Sequence, residues 1–486
     1  MADARRIDEG SALLRAPYPR ASAAALDRVK VELSRALGDS KLRVDEDALF
    51  AFAGDESDQA PVLPDIAVLA ATPEDIAETL RIATAYGVPV TPRGAGTGKS
   101  GGAVPVCGGI VLSVIGMNAL EEIDASEQLA VVGPGMILAD LHAAVEREGL
   151  FYPPDPNSLK TCAIGGNIAE NAGGPRAFKY GVTRDYVLGL EVVAADGTPM
   201  TIGRRTRKGV TGYDLASLLV GSEGTLAVTT RATLRLIRKP EALATLLGLF
   251  PSVDHTMRAV EAIVAAGLAA RCLEVLDETC VVGIREEGVS LDARAAALLI
   301  VEVDGDSASV DRQLQDVGQR AMDAGAVEVL VAQDAAQRDR LWEARRKLSY
   351  VTKRMARWKI SEDVVVPRMR LAALVQDVRA IGERVGVRTL CYGHAGDGNL
   401  HVNFLWDDPE DVVKVERALE ALFRSVIAMR GTLTGEHGVG SSKAPYLALE
   451  QSGYVIALQE RIKAAFDPKG ILNPGKIFPR RGHGSC

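Results

Sequence analysis

The sequence is poor in cysteine, and its cysteines are not paired in motifs. Six occur, at 107, 162, 272, 280, 391 and 486, and no two form a C-x-x-C. That spacing excludes a zinc ribbon and a dithiol redox motif and suits a reducing compartment. Long hydrophobic runs are also missing. A run such as 243–250 falls far short of the ~20 residues that span a bilayer. The opening stretch, Met-Ala-Asp-Ala-Arg-Arg-Ile-Asp-Glu, has no apolar core, so a secretory signal is not expected. With Cys486 as the final residue, neither is a prenylation box. No basic block stands out and the net charge is −8, which argues against a nucleic-acid footprint. A small anion would have to be held by a few placed cations. Aromatics are only 5%, whereas glycine is abundant at 48 residues. So much glycine points to backbone positions that need positive φ or close ligand approach.

A length of 486 residues suits two to four domains. Residues 1–45 read as a helical lead-in with a one-sided apolar stripe. From 46 to 238 the text is rich in glycine and strands. Thr72 and Pro73 open a helix whose apolar face is Ile76, Leu80 and Ala83, set between strands near 66–70 and 88–91. Residues 187–194 and 198–202 flank Asp196-Gly197 as a hairpin. After Pro240, helices and strands alternate through 239–452 as a second α+β domain. Residues 453–486 read as a helix and tail that return to the first domain.

Three glycine-rich loops lie in the first domain. The first is Pro92-Arg-Gly-Ala-Gly-Thr-Gly-Lys-Ser-Gly-Gly-Ala103. Its Gly98-Lys99-Ser100 imitates a nucleotide-hydrolase loop. However, Arg93 stands where that motif needs glycine, and glycines and Pro105 follow where it needs a helix. The second runs from Pro153 to Gly174, and the third is Gly221-Ser-Glu-Gly-Thr225. One such loop alone reads equally well as a turn between strands. Three within one domain imply a large polar ligand lying along many backbones.

Histidine is scarce, at six residues. His394 and His401 flank the turn Ala395-Gly-Asp-Gly-Asn399 between two strands, so a hairpin would bring them together. Alone, such a pair reads as a hairpin cap. Gly435-Glu-His-Gly438 adds a carboxylate and a third imidazole. Two histidines and a carboxylate would leave positions open on a divalent metal. His142, His255 and His483 have no partners in the sequence and read as structural or as tail. On the helical stretch 342–350, Arg345 and Ser349 share a face. Read by itself, a lone helical arginine is a solvated one.

These segments, with Tyr180-Gly-Val-Thr-Arg-Asp-Tyr-Val-Leu-Gly-Leu190, resemble vanillyl-alcohol oxidase type flavoproteins. They are most similar to the glycolate oxidase, D-lactate dehydrogenase and D-2-hydroxyglutarate dehydrogenase branch, over about 60–479. Lys99 departs from the leucine usual in the first loop. The resemblance implies an α+β protein with a PCMH-type FAD-binding domain and an α+β substrate (cap) domain built on a ferredoxin-like sheet. It implies an FAD cradle on Pro92, Arg93, Gly94, Ala95, Gly96, Thr97, Gly98, Ser100 and Gly101. The cradle continues on Pro154, Asp155, Ser158, Thr161, Gly165, Gly166, Asn167, Ala169, Asn171 and Gly174. It extends to Tyr180, Gly181, Glu223, Gly224 and Val228, with Asn473 of the tail closing over the flavin. Some relatives attach FAD through a histidine in the first loop, and this loop has none, so FAD is expected to be noncovalent.

The resemblance also implies a metal on His394, His401 and Glu436, zinc being expected and manganese or iron the alternatives. It implies His437 as the base, and Arg345, Ser349, Lys359 and Asn399 as substrate contacts. The activity implied is oxidation of a D-2-hydroxy acid such as D-lactate, glycolate or D-2-hydroxyglutarate. The alternatives are an oxygen-using oxidase and a flavin subunit that needs partner chains. The expected electron acceptor is an electron-transfer flavoprotein, a quinone or a cytochrome. A homodimer is one assembly considered. The expected location is cytoplasmic, with the inner membrane face as an alternative.

Overall fold

A computed structural model describes residues 18–479, together with all but a few side chains of the helix Ala335–Met355. The expectations for the first 17 residues, His483 and Cys486 lie outside the described residues, as does the side chain of Ser349. The described chain forms two compact units. One gathers 18–173, 182–239 and 436–479, and the other gathers 174–181 and 240–435. The chain therefore passes from one unit to the other four times.

The first unit holds three sheets, the smallest of which pairs Leu150–Phe151 with Ile237–Arg238. In the four-stranded one, Ile110–Ser113 lies between Ile66–Leu69 and Val90–Arg93, parallel to both, and Leu42–Arg43 pairs antiparallel at one edge. The β-α-β unit read from sequence is present, but its two strands are separated by the strand that follows the first glycine loop. Periodicity identifies strands and is silent on their order. The connecting helix, Pro73–Tyr86, begins with a capping box. Thr72 Oγ1 accepts the Asp75 N–H, and Asp75 Oδ2 accepts the N–H of Thr72. Gly87, at φ 66°, ends the helix in the left-handed conformation.

The expected lead-in is not a separate piece. Its helix, Ala23–Leu37, buries Val29 and Leu33 in the same core as Ile76, Leu80, Ile66 and Leu112. The five-stranded sheet runs Leu120–Asp124, Leu129–Val132, Ala227–Arg235, Val187–Ala194, Pro199–Gly203, antiparallel throughout. The tail joins the first unit: Leu472 makes a parallel bridge to Val90, and the Asn473 N–H donates to the Val90 carbonyl at 2.7 Å.

The second unit is a seven-stranded antiparallel sheet ordered Glu328–Val331, Ala242–Phe250, Ala297–Gly305, Ala270–Leu276, Arg388–His394, Asn399–Trp406, Trp358–Val365. The first four strands, with helices Val253–Ala265 and Ser307–Asp323, form a β-α-β-β-α-β ferredoxin-like motif. Three further strands extend it. On one face Leu247, Leu249, Leu298 and Ile300 pack with Ile284, Leu348 and Val351 of the helices Glu278–Glu286 and Ala335–Met355. Leu246, next along its strand, turns to the other face against Gly318 of Ser307–Asp323.

Residues 174–181 belong to this unit, although the sequence reading kept them within 46–238. The handover to the tail comes after Gly435 rather than at 452. A single buried carboxylate accounts for the first difference. Asp304 takes a bond from Lys179 Nζ at 2.5 Å and from the Tyr180 hydroxyl at 2.9 Å, and pairs with Arg271 at 3.1 Å.

Candidate functional site

The first unit contains a cleft of about 360 Å³. Its walls include Pro92, Arg93, Gly94, Ala95, Gly96, Thr97 and Gly98 from the first loop. The second loop adds Ser158, Thr161, Gly165, Gly166, Asn167 and Ala169, and the third adds Glu223, Gly224 and Val228. Asn473, Glu436 and His437 complete it. Glycine is required where the chain turns. Gly96 has φ +73°, and a Cβ there would lie 2.1 Å from the Arg93 guanidinium, which is itself held by the Gly54 carbonyl at 2.7 Å.

Glu223 is a non-glycine residue at φ 52°. Such a conformation costs about 1–3 kcal/mol and needs compensation. Its two oxygens supply that by accepting the N–H groups of Val439 and Gly440, both at 2.7 Å, which fixes the turn after His437. Asn473 Nδ2 bonds the carbonyls of Gly102 and Glu223 at 3.0 and 2.7 Å.

Three wall residues have buried polar atoms with no partner among the described residues: Asn167 Nδ2, Glu170 Oε2 and Asn473 Oδ1. Unspent donors and acceptors of this kind are costly unless a ligand satisfies them. The cleft therefore fits a polar cofactor that can donate and accept. Burial and the carboxylates of Glu223 and Asp55 push the Glu170 carboxyl well above its ordinary range. Burial likewise brings the Lys476 ammonium down to about 8, against the pull of Asp55.

Several expected cradle residues lie elsewhere. The Ser100 carbonyl accepts the N–H groups of Ser441 and Ser442, and Gly101 packs beside Ser441. The Pro154 carbonyl is 3.0 Å from His142 Nε2, which gives His142 the structural role expected of it. Asp155 is not in the wall, and Asn171 Oδ1 accepts the Arg184 N–H at 2.9 Å. Gly174, Tyr180 and Gly181 fall in the second unit. Conversely, Glu170 and Ser222 line the cleft and were not singled out from sequence. The false hydrolase motif dissolves: Lys99 pairs with Glu56 at 2.6 Å.

In the second unit, His394 and His401 sit on the adjacent antiparallel strands Arg388–His394 and Asn399–Trp406. His394 is opposite Asn399 and His401 opposite Tyr392, so the imidazoles are diagonal neighbours. Both are buried, with ring centroids 5.4 Å apart. Glu274, on Ala270–Leu276, lies directly opposite His394 and bonds its Nδ1. Its other oxygen takes the Arg345 Nε at 3.1 Å. Burial alone would raise the Glu274 carboxyl, but His394 and Arg345 hold it at about 2. A neutral His394 that gives its Nδ1–H to this carboxylate carries its lone pair on Nε2, the usual arrangement behind a metal-binding histidine.

Arg345 stacks over the Tyr392 ring at 4.5 Å. Asp363 lies 4.0 Å from His401 Nδ1 and accepts from Asn399 Nδ2 at 2.6 Å, Thr434 Oγ1 at 3.0 Å and the Gly435 N–H at 2.8 Å. Asn399 Nδ2 also bonds the Val364 carbonyl. Lys359 donates to Thr352 Oγ1 at 3.3 Å. His437, in the first unit, has its Nε2 4.0 Å from Glu436 Oε1.

Comparison with known proteins places this geometry. Residues 64–203 match the FAD binding domain family, and 239–477 match the C-terminal domain of FAD linked oxidases. The glycolate oxidase subunit GlcD of Bacillus subtilis is 40% identical over 93% of this chain and 97% of its own length. The chain belongs to the FAD-linked oxidase family.

As a family member it is an FAD-linked oxidoreductase. The D-lactate dehydrogenase of Archaeoglobus fulgidus is 38% identical over 83% of this chain and 89% of its own. Among solved structures, p-cresol methylhydroxylase with substrate bound matches at TM-score 0.79, covering 95% of this chain and 98% of that one at 17% identity. The 4-ethylphenol oxidase of Gulosibacter chungangensis matches at TM-score 0.78 and 22% identity, over 96% and 100%. At such identities the likeness speaks for the fold alone, and it is the PCMH-type fold read from the loops. The FAD binding match spans the first two glycine loops, and the C-terminal match spans His394, His401, Glu436 and His437. Among the described residues, no helix is long and apolar enough to cross a membrane.

Proposed function

We propose that this FAD-linked oxidoreductase oxidises a D-2-hydroxy acid to the 2-oxo acid. The observation that carries the reading is Glu274, which binds Arg345 with one oxygen and His394 with the other. One carboxylate thus orients both a carboxylate-binding cation and an imidazole poised for a metal. Arg345 holds the substrate carboxylate with its guanidinium fork. Lys359, on the same unit, adds positive charge, and Asn399 is a further substrate contact. His437 accepts the proton of the 2-hydroxyl.

FAD, held noncovalently by the three loops, supplies when bound the two-electron acceptor for the C2 hydride. A divalent ion on His394 and His401, with Glu436 as the third ligand by family pattern, supplies Lewis acidity; zinc suits this donor set best. The reduced flavin must pass its two electrons on, and a separate electron carrier is the acceptor in this reading.

The test is anaerobic flavin bleaching with D-lactate, glycolate, D-2-hydroxyglutarate and D-malate. At least one should reduce the flavin of the purified chain. If none does, even with an artificial dye as acceptor, this reading fails. Chelation should remove most turnover while the flavin spectrum stays intact, and His394→Ala should lower the bound metal. Full turnover in a metal-free preparation would remove the metal from the scheme.

A further inference from the structure

The first unit has another cavity, of about 290 Å³, that shares no wall residue with the flavin cleft. Four arginines line it: Arg184, Arg204, Arg207 and Arg235. Two carboxylates, Asp185 and Asp214, share the wall, and both are already engaged. Asp185 accepts the Val182 N–H at 2.8 Å. Asp214 caps the helix Leu215–Leu219 by accepting from the N–H and hydroxyl of Ser217 at 3.0 and 2.8 Å.

The arginines are bound only to neutral groups. Among the described residues none of the four makes an ion pair within 4.0 Å, although neighbours such as Arg205 and Arg231 do. Arg184 donates to the Val220 carbonyl, Arg204 to the Thr206 carbonyl and Arg207 to Gln128 Oε1. Arg235 lies over the Tyr186 ring at 5.6 Å, and its Nε is buried with no hydrogen-bond partner among the described residues.

Four guanidinium groups against two carboxylates leave the wall with two uncompensated positive charges, on a chain whose net charge is −8. Like charges gathered on one concave wall repel one another, most at low ionic strength, and an anion that bridges them relieves that repulsion. We infer that this cavity binds a phosphomonoester group. Such a group carries about −1.5 to −2 at neutral pH, which matches the excess of the wall. Its oxygens suit the planar forks of several arginines at once. The volume lies near the lower end of small-ligand cavities, which leaves room for a phosphate and part of the group it is esterified to. The 203–213 segment that supplies Arg204 and Arg207 also exposes Val210 and Tyr213, at 98% and 96%. The phosphate can therefore belong to a soluble metabolite or to a lipid headgroup.

The test is calorimetric titration of the FAD-saturated protein at low ionic strength, so that no phosphate probe can enter the flavin cleft. Glycerol 3-phosphate is one probe, and phosphatidylcholine vesicles with and without phosphatidic acid are the other. Saturable binding of at least one phosphomonoester is expected. Binding of glycerol 3-phosphate assigns a soluble source; binding only of phosphatidic acid vesicles assigns a lipid one. Arg207→Gln, at an exposed position, should weaken binding ~10-fold or more, the worth of one charge-assisted hydrogen bond. Arg235→Lys should do the same although it keeps the charge, because lysine has no fork. Flavin content should be unchanged in both. No saturable binding of either probe at millimolar phosphate, or equal affinity in wild type and both variants, would overturn the assignment.

Discussion

The hydroxyl of Tyr180 lies 2.9 Å from both carboxylate oxygens of Asp304, 124 residues further along the chain. Lys179 and Arg271 complete the set around a carboxylate that is 1% exposed. Two cations and a phenol thus converge on one buried acid, and eight residues that interrupt the first unit are fastened into the second.

Asp304→Ala should leave the part-buried Lys179 without its ion-pair partner and Arg271 with Glu302 alone, at 3.6 Å, and cost ~3–5 kcal/mol, as breaking a buried pair usually does. Protease cleavage within 174–181 should rise in the same variant. Unchanged thermal unfolding together with unchanged proteolysis would show that the segment is held by other contacts.

Flavin should be released completely on acid precipitation, because no histidine stands in the first glycine loop to bond it. Yellow colour remaining with the pellet would contradict this. Gly96→Val should purify with much less FAD, since its side chain would meet the Arg93 guanidinium and its φ disfavours a β-branched residue.

Arg345 and the base His437 should separate kinetically. His437→Ala should slow flavin reduction at saturating substrate by ~10²–10⁴, the usual contribution of a positioned base. Arg345→Ala should mainly raise KM, because the carboxylate is gripped in the ground state and the transition state alike. Stopped-flow reduction measures both. A His437→Ala enzyme that reduces its flavin at the wild-type rate would remove His437 from the proton transfer.

Asp75 gives the first unit an acid-sensitive stability. Burial would raise its carboxyl, but the Lys41 ammonium at 2.6 Å and the N–H groups of Ala71 and Thr72 outweigh that and hold it below 3.8. A carboxyl lowered on folding stabilises above its unfolded value, and the gain is lost as pH falls through the folded value. Asp75→Asn should therefore destabilise the protein at pH 7, by about 1–2 kcal/mol for the cap and ion pair together. It should also flatten the loss of stability below pH ~4. Parallel acid denaturation curves for wild type and variant would refute this.

Much of the fold was legible because its signals are local. The helix start at Thr72 and Pro73, the hairpin of 187–203 and the glycine loops each depend on residues a few positions apart. Glu274 was not legible. It stands alone in the fully buried strand Ala270–Leu276, and its partners are 71 and 120 residues distant. Glu170 escaped notice for a similar reason: its importance lies in an unpartnered oxygen, which no spacing reveals. The unit to which 174–181 belongs is likewise decided by Asp304, far away in sequence.

The four passages of the chain between units bear on how the protein is made. On the ribosome, the second unit has its last residue, Gly435, in hand before residues 436–479 emerge. The first unit begins earlier and ends later. Until the tail arrives, Val90 lacks its bridge to Leu472, Thr225 lacks the Lys463 ammonium on its carbonyl, and Glu223 lacks the amides of Val439 and Gly440. The nascent amino-terminal half must wait, with apolar surface uncovered, while the inserted half folds first, which makes it the stretch a chaperone would hold. A gene fragment ending at residue 239 would leave that wait permanent.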